Sequence, residues 1–90
     1  MSGLPKLTAI FYRSGSGSEP VRTWIKALSK PERKINGEDI AYVQFKWLIG
    51  KPRVDHLRGD IWEIRSSLGS RIARTLFAVE SGQLKLLHSL

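Results

Sequence analysis

Cysteine is absent from this 90-residue chain, so neither a disulfide framework nor a thiolate-bound zinc is open to it. Long apolar runs are absent too. Nothing approaches the ~20 residues that span a bilayer, and no apolar signal segment follows the first residues. These absences predict a cytoplasmic protein with no membrane partner. The glycine-rich stretch "SGSGS", residues 14–18, lacks the Gly-Lys-Ser/Thr ending of a P-loop and reads as a flexible connector. There is no Gly-x-Ser-x-Gly elbow of a serine hydrolase. Asp55, His56 and Glu63 are too few and too scattered to define a metal site, so no metal is expected. Acidic residues are scarce: eight Asp and Glu face fifteen Lys and Arg, a formal net charge of +7. On a chain long enough for one domain, residues 1–90, that excess favours a polyanion or an acidic partner.

What is present reads as β-α-α-β-β-β. Residues 4–13, "LPKLTAIFYR", are rich in strand formers. A helix starts at Pro20, capped by Ser18 or Glu19, with Val21, Trp24, Ile25 and Leu28 on one apolar face. Ser29 and Glu32 in "SKPE" have capping-box spacing and open a second helix carrying Ile35, Ile40, Val43 and Trp47. "IGKP", residues 49–52, ends it with Gly and Pro. Two helices meeting at a capping box predict an αα-hairpin. Residues 51–59 read as a basic loop. Three strands follow, 61–66, 71–80 and 83–89, with Ser81-Gly82 as a hairpin turn.

Arginines interrupt these strands. Glu63 and Arg65 alternate with Trp62 and Ile64; Ile72, Arg74, Leu76 and Ala78 share one face, opposite Arg71, Ala73, Thr75, Phe77 and Val79. A guanidinium donates paired hydrogen bonds in a fixed fork that matches phosphate. Arg65 and Arg74 are therefore candidates for holding an RNA phosphate. Arg71 and Lys85 on the strands, with Lys51, Arg53 and Arg58 in the basic loop, are candidate backbone contacts. The competing reading pairs the arginines with Asp60, Glu63 and Glu80 across strands, at ~0.2–1 kcal/mol each. The aromatic pattern of an RRM is absent, so base stacking on the sheet is not expected. His56 and His88 are the only side chains that ordinarily titrate near neutrality. In metal-free RNA cleavage a base takes the 2′-OH proton, cations stabilise the charged transition state and an acid protonates the leaving 5′-oxygen. His88, near the end of the last strand, is the better placed for such a transfer; His56 lies in the basic loop.

The ordered pieces "VRTWIKAL", "NGEDIAYVQFKWLIGKP", "LRGDIWEIRSSL", "SRIARTLFAV" and "LKLLHSL" resemble the RelE/HigB-type toxins of bacterial toxin–antitoxin systems, and most closely their phage-derived branch. The resemblance runs from about Phe11 to the last residue. It implies an α+β domain with a RelE-like antiparallel sheet and an N-terminal αα-hairpin packed on one face. It implies an mRNA interferase acting on the ribosome without a cofactor. It also implies a cognate helix-turn-helix antitoxin, through which alone operator DNA is contacted. Arg65 of "WEIR" matches a basic strand position of the family. Arg74 of "ARTLF" matches the arginine at the scissile phosphate. Glu63 stands where some relatives carry Lys, so that role does not transfer. Relatives usually continue past "LLH" with a basic segment; here "HSL" is last. Three explanations stay open, a naturally shortened toxin, a truncated chain, or a variant whose nuclease activity is weak or lost; each predicts apolar surface around Leu84, Leu86 and Leu90 for the antitoxin or a second copy to cover. A nuclease, a non-catalytic antitoxin-binding protein and a general nucleic-acid-binding module all remain open.

Overall fold

Seven elements make up the chain in a computed structural model that describes residues 5–47 and 54–90: β1 (Thr8–Phe11), α1 (Pro20–Lys26), α2 (Lys30–Phe45), β2 (Val54–Arg58), β3 (Ile61–Leu68), β4 (Arg71–Glu80) and β5 (Gln83–Ser89). The order is thus β-α-α-β-β-β-β, mixed α+β, with one strand more than the sequence suggests. The strands form one sheet in the order β1-β5-β4-β3-β2. Strands β2 to β5 are an antiparallel meander, but β1 pairs parallel to β5, so the sheet is not antiparallel throughout.

The extra strand lies where a basic loop is expected. Val54 is buried opposite Ile64, and Asp55 pairs with Glu63 across the ladder. Gly59, at φ +52°, helps turn the chain into β3, a conformation that costs glycine little. The polar side chains of Asp55, His56 and Arg58 hide this strand's alternation in the sequence. β1 is shorter than the ten residues expected. Its ladder with β5 covers only Thr8 to Phe11, and the Leu7 N–H already turns to the Gln44 carbonyl of α2 at 3.1 Å.

Both helices cover one face of the sheet. α1 lies mainly against β5 and α2 mainly against β3, with fewer contacts to each other, so the pair is held by the sheet rather than by a hairpin interface. The capping box forms: Ser29 Oγ accepts from the Glu32 N–H at 3.3 Å and Glu32 Oε1 accepts from the Ser29 N–H at 3.0 Å. α1 has Glu19 as its N-cap residue without a side-chain cap bond. The Glu19 carboxylate instead takes Arg22 and Arg13, each at 3.3 Å. Chiefly through Arg22, these pairs hold its carboxyl below the ordinary value of 4.5. α2 ends at Phe45, before Trp47; the "IGKP" stop lies outside the described residues.

Val21, Ile40, Val43, Ile64, Phe77, Leu84 and Leu86 form the main core, with Trp47 packed edge-on against Trp62 and Phe77. A smaller cluster of Leu28, Leu68 and Ala73 lies beneath Trp24 and Ile35. Leu84 and Leu86 are therefore core residues, 0% and 2% exposed, and not the open surface expected of them; Leu90 alone of the three is exposed. Their alternation places them opposite Val79 and Phe77, on the helix side. The core also holds a polar cluster absent from the expected apolar face of α2. Asn36 Nδ2 donates to Ser66 Oγ at 3.0 Å and Thr75 Oγ1 at 3.4 Å, and Ser89 Oγ donates to Thr75 Oγ1 at 3.2 Å. Four elements are thereby joined through side chains that a purely apolar core would leave interchangeable.

Candidate anion-binding site on the open sheet face

The face of the sheet turned away from the helices is set by strand alternation. Glu63 and Arg65 of β3 point to it because Trp62, Ile64 and Ser66 take the helix side; Arg74 and Leu76 of β4 do so because Ala73, Thr75 and Phe77 are buried. The β3–β4 register places Arg65 directly opposite Arg74. Like charges in that position repel. The sheet resolves this with a carboxylate: Glu63 is almost wholly buried and lies beside both guanidinium groups. Its Oε1 accepts from Arg65 Nε at 3.1 Å, and its Oε2 is 4.0 Å from Arg74 Nε. Asp55 of β2 adds a second acceptor, with Oδ2 3.3 Å from Arg65 Nη2.

The two arginines consequently differ. Arg65 is bound on its Nε and on one terminal nitrogen by two carboxylates, and its side chain is 39% exposed. Among the described residues, Arg74 has only the long contact through Nε, and its side chain is 51% exposed. With the Nε edge toward Glu63, the terminal nitrogens of Arg74 are the part of the fork left for an incoming anion. Backbone pairing holds its position: the Arg74 N–H and carbonyl exchange bonds of 3.0 and 2.9 Å with Leu90.

His88 belongs to the same face. It lies opposite Leu76, two rungs from the Arg74–Leu90 pair, and is exposed. That makes His88 and Arg74 diagonal neighbours, ~7–8 Å apart at the backbone and within reach of long side chains. A register shift between Leu76 and Phe77 accompanies this arrangement in β5. Without it the alternation from Lys85 would turn His88 to the covered side. Arg65, Arg74 and His88 thus share the open face, with Glu63, already the competing partner for the arginines in the sequence, lying between the two guanidinium groups. Asp55 is the member the sequence did not single out, hidden by reading its strand as a loop.

The other candidate contacts disperse. Arg71 is on the helix side, where its Nη2 is 3.1 Å from Glu32 Oε2. The Ser29 N–H, and after it Arg71, hold the Glu32 carboxyl below 4.5. Lys85 is ion-paired with Glu80, whose carboxyl it lowers below 4.5. Lys85, Tyr12, Asp60, Glu80 and Leu87 line an open pocket of about 350 Å³. Lys85 faces Ala78, four residues along β4 from Arg74, hence ~13 Å away. Two carboxylates on that pocket make it poorly suited to phosphate. Arg58 is exposed opposite Ile61, farther along the sheet from the arginines. Lys51 and Arg53 lie outside the described residues. His56 stands apart: its Nε2 is 2.7 Å from the Gly59 carbonyl and its ring packs on Trp62 at 4.5 Å.

Arg65 and Arg71 are thus paired with carboxylates, but not by the cross-strand pairs weighed in the sequence: Glu63 holds Arg65 within one strand, Asp55 adds to it, Arg71 takes Glu32 of α2, and Glu80 takes Lys85. Arg74 remains the most open of the face's guanidinium groups, beside an exposed imidazole. Such a pair can hold a phosphate and exchange a proton close to it. No helix among the described residues is long and apolar enough to cross a membrane.

No curated protein and no solved structure matches the chain significantly. The family described as phage-derived protein Gp49-like (DUF891) matches residues 23–90, a span that includes α2, β2 to β5 and every member of the arginine cluster. The chain therefore belongs to the Gp49-like family of phage-derived proteins, a toxin-like family of toxin–antitoxin systems.

Proposed function

We propose that the chain is a RelE/HigB-type toxin: an mRNA interferase that cuts mRNA, on the ribosome, and is neutralised by a cognate helix-turn-helix antitoxin. In this scheme Arg74 receives the phosphate through its terminal nitrogens. The 2′-OH of the preceding ribose attacks that phosphorus. A 2′,3′-cyclic phosphate forms as the bond to the 5′-oxygen breaks, and the 5′-oxygen leaves as a hydroxyl. Arg74 stabilises the charge gathering on the phosphoryl oxygens, and His88 moves a proton at one of the two oxygens. Arg65 reinforces the positive face while Glu63 and Asp55 fix its geometry.

The observation that carries this reading is the unequal pair: two arginines face each other on an uncovered sheet, and one of them is left half-exposed beside an exposed histidine. Family membership supports the toxin assignment. A second reading, a toxin-like protein that mainly binds antitoxin or nucleic acid, is favoured by the two carboxylates that occupy Arg65 and leave few open cations on this face.

Induction of the 90-residue chain in bacteria without antitoxin, beside its Arg74→Ala variant, separates the two. Nuclease action predicts growth arrest and new mRNA 5′ ends with the parent and neither with the variant. Equal growth at equal soluble expression, without new ends, would favour the binding protein.

A further inference from the structure

The positive charge of this protein is not concentrated on its arginine-bearing sheet. Residues 54–90 carry five Lys or Arg against four Asp or Glu. Residues 22–34, by contrast, carry five bases, Arg22, Lys26, Lys30, Arg33 and Lys34, against the single acid Glu32. All five are exposed; Arg22 lies in the first turn of α1, and the other four occupy the corner where α1 ends and α2 begins.

Three of the five have a local role: Arg22 pairs with Glu19, Lys26 suits the last turn of α1, and Arg33 Nη2 donates to the Leu28 carbonyl at 3.2 Å. The placement of Lys30 and Lys34 is not explained by stability. Lys30, Arg33 and Lys34 lie in the first turns of α2, at the end where the helix dipole disfavours cations. Lys30 and Lys34 are also i,i+4 neighbours of like charge, an unfavourable spacing. The acid that could relieve them is committed elsewhere: Glu32 closes the capping box with one oxygen and holds Arg71 with the other. Lys26, Lys30 and Lys34 form no ion pair with a described residue.

The Glu32–Arg71 pair ties this corner to the start of β4. Arg74 lies three residues further along that strand, ~10 Å on, and on the opposite face. Basic side chains therefore run from the open face, around the end of the β3–β4 hairpin, to the helix corner.

We infer that the α1–α2 corner is a second contact surface for single-stranded RNA, taking the phosphates that lie beyond the one held by Arg74. The inference rests on the proposed phosphate role of Arg74 for the direction of the strand, but not for the charge of the corner. Lysine is suited to this task because an ammonium binds phosphate as a point charge without demanding one base or one geometry.

The test measures the affinity of the full chain for two labelled RNAs, of ~20 and ~4 nucleotides, across a series of salt concentrations. Each phosphate neutralised on a single strand contributes ~0.7 to the slope of log affinity against log salt. The triple variant Lys26→Gln/Lys30→Gln/Lys34→Gln is expected to lose about 2 from the slope with the longer RNA and nothing with the shorter. Lys46→Gln, at the far end of α2, is the control and leaves both unchanged. Arg74→Ala weakens both RNAs. An unchanged slope in the triple variant while Arg74→Ala still weakens both overturns the corner and leaves the Arg74 site standing. The reverse result, a reduced slope with Arg74→Ala inert, keeps the corner as an RNA surface and removes the Arg74 site. Loss of binding to both RNAs alike in a folded triple variant overturns the two-surface arrangement.

Discussion

The two faces of this sheet handle polar groups in different ways. On the helix-covered face, Asn36, Ser66, Thr75 and Ser89 are buried and neutral, and they bond one another. On the open face, Arg65 and Arg74 stay half in water, over the more deeply set carboxylates of Glu63 and Asp55. The covered face is specified by fit: a wrong partner leaves an amide or hydroxyl without a bond, costing roughly 1–3 kcal/mol. The open face is specified by charge balance, and the balance is deliberately unequal between its two arginines. A buried neutral network fixes one structure. A half-exposed charged one leaves a guanidinium available to a ligand.

The largest effects should fall on the covered face. Phe77 is fully buried between Trp47 and the helices. Phe77→Ala is expected to lose ~3–5 kcal/mol in denaturant unfolding; Leu76→Ala, one residue on and on the open face, should lose less than half of that. Similar losses at both positions would show that something covers the open face.

Glu63→Gln should come next. It removes a buried carboxylate from between two arginines and is expected to destabilise by ~1–3 kcal/mol, below the ~3–5 of a fully buried pair because both arginines reach water. Adding Arg65→Leu should recover part of that loss, with a coupling of about 1 kcal/mol by double-mutant cycle. Strict additivity would mean that Glu63 does not hold Arg65. Asn36→Ala is expected to cost ~1–2 kcal/mol by leaving Ser66 short of a donor and Thr75 with Ser89 alone, which thermal unfolding would register.

The smallest effect is electrostatic. Glu32 and Glu80 have carboxyl groups held below 4.5, by the Ser29 N–H with Arg71 and by Lys85 respectively. A folded-state value below the unfolded one gives stability that is present above 4.5 and is lost as pH falls through the folded-state value. A Glu32→Gln chain should therefore show a shallower decline in melting temperature as the solution is acidified below 4.5. A decline as steep as the parent's would exclude Glu32 as a contributor.

Much of this organisation was legible where pattern and chemistry agree. The capping box at Ser29 and Glu32, the apolar face of Val21 and Leu28, and the alternation of Glu63 and Arg65 against Trp62 and Ile64 all depend on short-range geometry. β2 was not legible because its solvent-side charges mask the alternation and only pairing with β3 reveals it. The parallel seat of β1 beside β5 is a long-range pairing with no local mark. Asn36 carried no sign of burial in the sequence, and only the hydroxyls of Ser66 and Thr75 brought to it by two strands explain it. At the site, residue type located the arginines but not their inequality. That inequality depends on the register placing Arg65 opposite Arg74 and on Asp55 arriving from a strand not foreseen.

The central claim is that Glu63 and Asp55 divide labour between the two arginines, leaving Arg74 to meet the phosphate. It is tested most directly by measuring RNA cleavage and unfolding for Arg65→Ala and Arg74→Ala side by side. The account predicts that Arg74→Ala removes cleavage with little change in stability, and that Arg65→Ala loses stability, by about 1 kcal/mol or more, while retaining measurable cleavage. Full cleavage by Arg74→Ala, with loss only in Arg65→Ala, would contradict it.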